Sequence, residues 1–374
     1  MHAVRMNAAE AAVTVISTTK PVTDWCARYV QPWWDAAEVP ADNACASPLL
    51  VAEVGTDLYE KIAMEVVAQP HSSTLYARAR TLIARDEAGA QILAVSPGEK
   101  LAYRSEPASG RLTIYGNDTE PVATAAARLA REAMRGVLLR AGWSVLHASA
   151  VSFGENVVLA FGNKGDGKTS TALTLATRSG GELLANDRVF VRREPSGGVW
   201  VLPWPSAAAV GLGLLDALGW LDAVRKRVEE GEALHPTQES RVTAALLAGG
   251  RTPLWDGRRE LKTQIFPDQF PDWFGLRLST GGRAAHLLFP KVVADASPSA
   301  VAAQRSLRGD DFMRGCTEDR YPDIFGLAGG IDGGGRPEER AEVTERLAQL
   351  PAHSVTLGHD LDANSRLLAG TLAI

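Results

Sequence analysis

The sequence is poor in the features that build disulfide frameworks, zinc sites and membrane spans. It has only three cysteines, which are far apart and form no Cys-x-x-Cys pair. We therefore expect Cys26, Cys45 and Cys316 to be reduced structural thiols. No stretch reaches the roughly 18 uninterrupted apolar residues of a spanning helix. The N-terminus also lacks the basic start of a signal peptide. These absences predict a cytoplasmic protein that does not enter a membrane.

Excess positive charge is missing as well. The formal net charge is -5 and the isoelectric point is near 5.9, so nothing would neutralise a run of nucleic-acid phosphates. This excludes nucleic acid as an expected partner. The 374 residues contain no internal repeat and no long low-complexity tract, and 45% of them are hydrophobic, which is ordinary for a globular protein. That length suits two domains of unequal size.

The first part of the chain alternates short strand-like runs with turns, which predicts an α+β domain. A helix is expected after Asp118 or Thr119, with Pro121 in its first turn and Gly142 at its end. We place the domain boundary just before this helix. The result is a smaller N-terminal α+β domain at 1–117 and a second domain at 118–374.

The second domain has the pattern of an α/β fold with both parallel and antiparallel strand pairs. Two strands (143–151 and 155–162) precede a glycine-rich loop, a helix follows it, and strands at 182–186, 188–194 and 198–204 come next. Much later, the stretch AGGIDGGGRPEER (328–340) reads as a flexible surface loop before a final helix.

The loop Gly-Asn-Lys-Gly-Asp-Gly-Lys-Thr at 162–169, called the glycine loop below, satisfies the pattern GxxxxGK[ST] in full. Glycines permit positive φ, so successive N–H groups can point inward around an anion, and a helix N-terminus completes the cradle. Lys168 is expected to reach the β- and γ-phosphates of a nucleoside triphosphate, and the Thr169 hydroxyl to coordinate Mg²⁺. The residues predicted to surround the nucleotide are Gly162, Asn163, Lys164, Gly165, Asp166, Gly167, Lys168, Thr169 and Ser170.

Two further residues are candidates for the chemistry of phosphoryl transfer. Asp187 follows an apolar run 18 residues after Thr169, where a carboxylate can hold magnesium or take a proton from the attacking group. His147 lies on the strand before the loop strand. It is either a buried core residue or a group that assists proton transfer and orients Asp187.

The run LHASAVSFGENVVLAFGNKGDGKTSTALTLATRSGGELLANDRVFV resembles the catalytic core of the HPr kinase/phosphorylase group, over about residues 143–191. That family shares its core fold with ATP-dependent phosphoenolpyruvate carboxykinase. Its members use ATP and magnesium to phosphorylate a protein serine, and diverged members act in peptide natural-product pathways, including lasso-peptide pathways. The resemblance implies that the glycines of the loop, Lys168 and Thr169 bind ATP. It also implies that Asp187 is the metal ligand or base and that His147 is an active-site histidine.

The chain departs from this family in two places. Asn186-Asp187 stands where the family has two adjacent acidic residues, and the Glu-x-Arg-Gly signature of the bifunctional enzymes is missing. Asn186 could ligate magnesium or hold a water, but it cannot accept a proton.

The phosphoryl-transfer interpretation also needs a further cation and an acceptor. A basic cluster, Arg258, Arg259 and Lys262, is either the source of that positive charge or a solvated turn. Trp255 and Trp273 flank it and either grip a peptide or serve packing.

The sequence therefore predicts an ATP- and Mg²⁺-dependent kinase that acts on a serine-like hydroxyl of a peptide or protein. A kinase for a small metabolite and a nucleotide-gated binding protein without transfer are the alternatives. Whether the protein forms a homo-oligomer stays open.

Overall fold

The structure of the chain is a computed structural model that describes residues 1–41, 48–86, 89–302, 305–313, 322–331 and 333–373. Two of the predicted thiols, Cys45 and Cys316, lie outside these ranges, while Cys26 is fully buried. The chain divides into two compact units: Met1–Ser144 with Met313–Pro337, and Val145–Phe312 with Glu338–Ile374. Both combine β-sheets with helices, so the expectation of a mixed α/β protein is confirmed.

The first unit is built on one mixed sheet. Its strands are β1 (His2–Ala8), β2 (Ala11–Ser17), β3 (Asp35–Glu38), β4 (Leu49–Val54), β5 (His71–Tyr76), β6 (Ala79–Arg85), β7 (Ile92–Ser96), β8 (Leu101–Glu106) and β9 (Arg111–Gly116). They lie in the order β3-β1-β2-β4-β9-β8-β7-β6-β5, and only β2/β4 and β4/β9 pair in parallel. The helices are α1 (Lys20–Val30), α2 (Thr56–Val67) and α3 (Thr119–Arg140).

Helix α3 belongs to the first unit, whereas the sequence interpretation placed it at the start of the second domain. It packs on α1 and on the strands β2, β4 and β9, which together bury most of its side chains. Gly142 has a φ of 84°, which lets the helix end two residues earlier at Arg140. By contact, the division between the units therefore falls near Ser144.

The stretch expected to be a flexible surface loop is instead packed into the first unit. Ala328 and residues 333–335 are buried. A Cβ on Gly136 of α3 would lie 2.0 Å from the carbonyl oxygen of Leu327, so only glycine admits this close approach. Ser105 donates a hydrogen bond to the Phe325 carbonyl at 2.8 Å. Within the stretch, Gly335 is buried and a Cβ there would lie 2.9 Å from the Ser144 hydroxyl oxygen, whereas Gly329 and Gly330 are exposed.

The second unit contains the glycine loop. Its strands are β10 (Ser144–Leu146), β11 (Ser149–Phe153), β12 (Asn156–Ala160), β13 (Glu182–Ala185), β14 (Val189–Arg193), β15 (Val199–Pro203), β16 (Ala208–Val210), β17 (Leu254–Asp256), β18 (Arg259–Leu261), β19 (Thr263–Ile265), β20 (Gly282–Val292), β21 (Ser299–Val301) and β22 (Ala352–Leu357). Its helices are α4 (Lys168–Arg178), α5 (Leu212–Ala217), α6 (Leu221–Glu229), α7 (Ser240–Leu247), α8 (Gln269–Phe274), α9 (Pro337–Leu347) and α10 (Leu361–Leu372).

The main sheet of this unit runs β10-β14-β15-β20-β12-β11-β13, and β22 pairs with β20 and with β21. Strands β12, β20 and β22 are parallel, while the pairs β11/β12, β11/β13 and β14/β15 are antiparallel, as the mixed pattern predicted. Because parallel strands end at one edge of a sheet, the glycine loop after β12 emerges beside the end of β20. Phe161 opens it by donating a backbone hydrogen bond to Leu288 at 2.8 Å.

A continuous apolar core holds this sheet. Val343 and Leu347 of α9 pack with Leu287 and Phe289 of β20 and with inward residues of β12, β14 and β15. Helix α4 packs on β11, β12 and β13. Within the described residues, none of the helices combines the length and apolar character that crossing a lipid bilayer requires.

Candidate functional site

The glycine loop adopts backbone conformations that its glycines make accessible. Gly165 and Gly167 have φ values of 94° and 100°, in the left-handed region. Gly167 is the residue just before α4, and a Cβ there would lie 2.3 Å from Cγ2 of Val292. Gly167 therefore combines a required positive φ with a close approach to the end of β20.

Hydrogen bonds within the loop close it into a ring. Lys168 is buried and its Nζ donates to the Gly162 carbonyl at 2.7 Å. The Asn163 amide donates to Oδ2 of Asp166 at 2.6 Å, and the Asp166 amide donates back to the Asn163 carbonyl at 3.2 Å. Val292 anchors the ring by donating its amide to the Asp166 carbonyl at 3.1 Å. The loop is thus tied to itself and to the sheet.

The loop leads directly into the N-terminus of α4. The first backbone amides of a helix have no carbonyl partner within it, and together they carry a partial positive charge. The first turn of α4 holds no acidic residue that would use up that charge. Asn163, Lys164 and Gly165 are exposed, and Ser170 is half-buried in the first turn. This arrangement can bind an anionic group such as a phosphate.

The backbone of Asn186 connects the loop helix to the end of β13. Thr169 donates its hydroxyl to the Asn186 carbonyl at 3.3 Å, and Ser149 of β11 donates to the same oxygen at 2.5 Å. Asp187 is the next residue. The Thr169 hydroxyl and the Asp187 carboxylate therefore lie at the same edge of the sheet.

His147 and Asp187 are in direct contact. Nε2 of His147 lies 2.9 Å from Oδ1 of Asp187. Since an ionised carboxylate can only accept, Nε2 carries the proton. The backbone of His147 is fixed by its amide, which donates to the Asp311 carbonyl at 2.7 Å. The two side chains remain 24% and 43% exposed, so the pair is open to a ligand rather than sealed in the core.

The surroundings of Asp187 keep its carboxylate ionised. Burial alone would raise the pKa of Asp187, but the hydrogen bond from His147 and the charges of Arg188, His147 and Lys168 outweigh it. Together they lower the pKa from 3.8 to about 2. Lys168 is therefore close enough to Asp187 for its positive charge to lower the pKa of that carboxyl group.

Asn186 directs its side chain away from this chemistry. Its Oδ1 accepts a hydrogen bond from the Ser206 hydroxyl at 3.0 Å, and its Nδ2 donates to the Ala207 carbonyl at 3.5 Å. The side chain is buried and occupied in holding the segment before β16. The idea that its amide ligates magnesium or holds a water for the reaction has no support in this geometry.

Arg188 was not singled out by the sequence analysis, yet it adjoins the acidic residue. Its Nε lies 3.4 Å from Oδ2 of Asp187, and its guanidinium carbon lies 5.7 Å from the ring centre of Trp204. The available signal was simply a cation directly following a candidate acidic residue. Its orientation depends on Trp204, which no local pattern of the sequence reveals.

The basic cluster expected to supply extra positive charge lies on the β17/β18 hairpin and just after it. Arg259 is paired with Glu239 at 2.5 Å and Lys262 with Glu260 at 3.3 Å, and Arg258 is exposed in the turn. The charges of Arg259 and Lys262 are already balanced by these carboxylates, which favours the solvated-turn interpretation.

The two tryptophans that flank this cluster have different environments. Trp273 is buried in α8, packs edge-on against Phe274 and donates its Nε1 hydrogen to Glu232 at 3.1 Å. Trp255 on β17 is 56% exposed. Trp273 therefore serves packing, and only Trp255 presents its ring to a ligand.

The residues present suit a magnesium ion shared with a nucleotide. No group of three or more His, Cys, Asp and Glu side chains is arranged to hold a metal among the residues that the structure describes. Magnesium usually takes one or two protein oxygen ligands and completes its shell with substrate phosphates and water. The ionised Asp187 carboxylate and the Thr169 hydroxyl are such oxygens. They fit an ion that enters with its phosphates.

No protein-family model matches the chain, and no curated protein matches it.

Proposed function

We propose that this chain is an ATP- and Mg²⁺-dependent kinase of the HPr-kinase-like type that transfers the γ-phosphoryl group to a serine-like hydroxyl of a peptide or protein. One observation carries the proposal: the glycine loop at the N-terminus of α4 and the His147–Asp187 pair meet at one sheet edge, joined through the Asn186 carbonyl. The loop accounts for nucleotide binding, and the pair accounts for orienting an acceptor hydroxyl.

Each group has a role in the proposed reaction. The loop amides and Lys168 would bind the phosphates, and Asp187 and Thr169 would hold magnesium, which when bound would supply positive charge to balance the phosphates. The acceptor oxygen forms a bond to the γ-phosphorus. The bond from that phosphorus to the bridging oxygen breaks, and its electron pair leaves with ADP. The hydroxyl proton passes to the His147–Asp187 pair and then to solvent.

The lowered pKa of Asp187 bears on how the proton is handled. A carboxylate with a pKa of about 2 is a weak base, so its permanent charge suits holding a metal and orienting the hydroxyl. Phosphoryl transfer passes through a loose transition state in which early proton removal contributes little. We therefore assign positioning and charge to Asp187, with proton uptake late in the reaction.

One observation favours a second candidate function, a nucleotide-gated binding protein. Asn186 stands next to Asp187 in place of a second acidic residue, and its side chain engages Ser206 and Ala207. A site without a strong base can bind a nucleotide and report its presence without transferring phosphate.

The experiment is incubation with γ-labelled ATP and magnesium, first with serine-containing peptides and then with small hydroxyl compounds. The kinase proposal predicts label on an acceptor and a rate about 100-fold lower or worse in Lys168→Ala, since that variant removes a charge from the phosphates. Lys226→Ala is the matched control, because Lys226 is exposed on α6 and pairs with Glu230 on the protein surface. Tight nucleotide binding with no labelled product from any acceptor class would instead favour the nucleotide-gated protein.

A further inference from the structure

Arg188 presents an oriented guanidinium at the proposed reaction centre. Its guanidinium carbon lies over the Trp204 ring, 5.7 Å from the ring centre, and Trp204 is buried and stacked on Phe190 at 5.1 Å with an interplanar angle of 20°. A guanidinium on an aromatic face is held by cation–π attraction. The side chain is thus directed by the core rather than swinging in solvent.

Among the described residues, the guanidinium of Arg188 contacts a carboxylate through one nitrogen. The contact with Asp187 runs through Nε at 3.4 Å. Across the described part of the chain, neither Nη atom of Arg188 makes a hydrogen bond to protein. A guanidinium offers five N–H donors in a planar fork, so the two Nη groups leave four of them for a ligand.

Other cations of the second unit are less suited to this place. Lys168 already donates within the glycine loop, and Arg305 is held by Asp311 at 2.8 Å and by the Phe289 ring. Arg193, at the end of strand β14, which begins just after Arg188, pairs with Glu342 at 3.5 Å. Arg188 alone of these combines contact with Asp187 and donors that have no protein partner in the described residues.

We propose that Arg188 is a further catalytic residue, whose Nη groups donate hydrogen bonds to the γ-phosphoryl group as it moves from ADP to the acceptor. This inference rests on the proposed kinase function. Charge spreads over the three equatorial oxygens of that group in the transition state, and a planar fork matches two of them at once. The arginine keeps all its protons, so the bonds formed and broken are those already given.

The test is the affinity of the protein for Mg²⁺ and ADP with and without aluminium fluoride, which mimics the group in flight, measured by calorimetry. We expect aluminium fluoride to tighten ADP binding to wild type at least about tenfold, because the added anion meets donors arranged for the transition state. In Arg188→Ala that gain should vanish while the affinity for ADP alone stays within about threefold of wild type. Arg188→Lys should recover part of the gain, since it restores charge without the fork.

Arg193→Ala, at the end of β14, is the control, and it should keep the full gain. If Arg188→Ala fails to fold, Arg188→Lys carries the test, and a full gain in that variant contradicts the need for a planar fork.

Three results would overturn the inference: the gain persists in Arg188→Ala, that variant loses ADP affinity as strongly as the gain, or wild type binds ADP but gains nothing from aluminium fluoride. If wild type binds no nucleotide at all, the proposed function itself fails, which is a distinguishable result.

Discussion

Asp187 is contacted from two sides, by His147 at Oδ1 and by Arg188 at Oδ2, and this shapes what the carboxylate can do. One neighbour orients it and the other balances its charge. The sequence could place Asp187 and His147 near each other, because the order of the strands brings their ends to one edge. It could not reveal the direction of the Asn186 side chain, which depends on Ser206 in a distant segment.

The charge state of Asp187 gives a prediction for the dependence on pH. Its folded pKa, about 2, lies below the ordinary 3.8, so its contribution to stability is fully present above pH 4 or so. That contribution falls as the pH drops from about 4 towards 2. Asp187→Asn should therefore lower the free energy of unfolding at pH 7. Below pH 2 the free energies of unfolding of the variant and of wild type should converge, as followed by urea titrations at several pH values.

Removing the His147 side chain should raise the pKa of Asp187. In His147→Ala the carboxylate loses its hydrogen bond, so the pKa of Asp187 should rise, and carboxyl NMR would measure it. An unchanged pKa in this variant would contradict the assigned role of the contact.

At the scale of elements, the strand β12, the glycine loop and the helix α4 follow from local pattern alone. An apolar strand, glycines at positive φ and a run of helix formers are enough to predict this strand–loop–helix segment from the local sequence. The alternatives for the basic cluster at 258–262 could not be separated from the sequence, because the pairing of Arg259 with Glu239 joins residues that are 20 positions apart.

Gly167→Ala tests the geometry of the loop element. The new Cβ meets Val292 at 2.3 Å and the φ of 100° is strained for alanine, at a cost of about 1–3 kcal/mol. We expect the loop to shift and the affinity for nucleotide to fall at least about tenfold, measured by calorimetry.

Gly180→Ala is the control for Gly167→Ala, because it introduces backbone strain outside the glycine loop. Gly180 lies just beyond the C-terminal end of α4. Gly180 has a φ of 77°, but a Cβ there meets nothing within 4 Å. This control should lose stability by roughly 1 kcal/mol while binding nucleotide normally. Equal loss of nucleotide affinity in both variants would argue that the loop is not the binding element.

For the molecule as a whole, the chain leaves the second unit after Phe312, contributes Met313–Pro337 to the first, and returns. A scan along the sequence assumes that neighbours in sequence share a domain, so it assigned α3 and the glycine-rich stretch to the wrong surroundings. The packing of Leu327 against Gly136 joins residues that are far apart in the sequence, so the hydrophobic periodicity of either segment does not predict it.

The return of the chain to the first unit predicts that a Gly→Ala substitution in α3 lowers stability, although such a substitution in a helix normally raises it. In a helix, Gly→Ala normally stabilises by about 1 kcal/mol. At Gly136 the added methyl would lie 2.0 Å from the Leu327 carbonyl oxygen, so Gly136→Ala should lower the melting temperature. Gly370→Ala in α10 is the matched control, because nothing lies within 4 Å of its new Cβ, and it should raise the melting temperature. A rise in both variants would mean that the close approach at Gly136 does not exist.

The central claim is that the glycine loop is an anion cradle closed by Lys168. The most direct measurement is a calorimetric titration of wild type and Lys168→Ala with ATP in the presence of Mg²⁺. We predict saturable binding to wild type and an affinity at least about tenfold weaker in the variant. Equal affinity in both proteins, or no binding to wild type, would contradict the account.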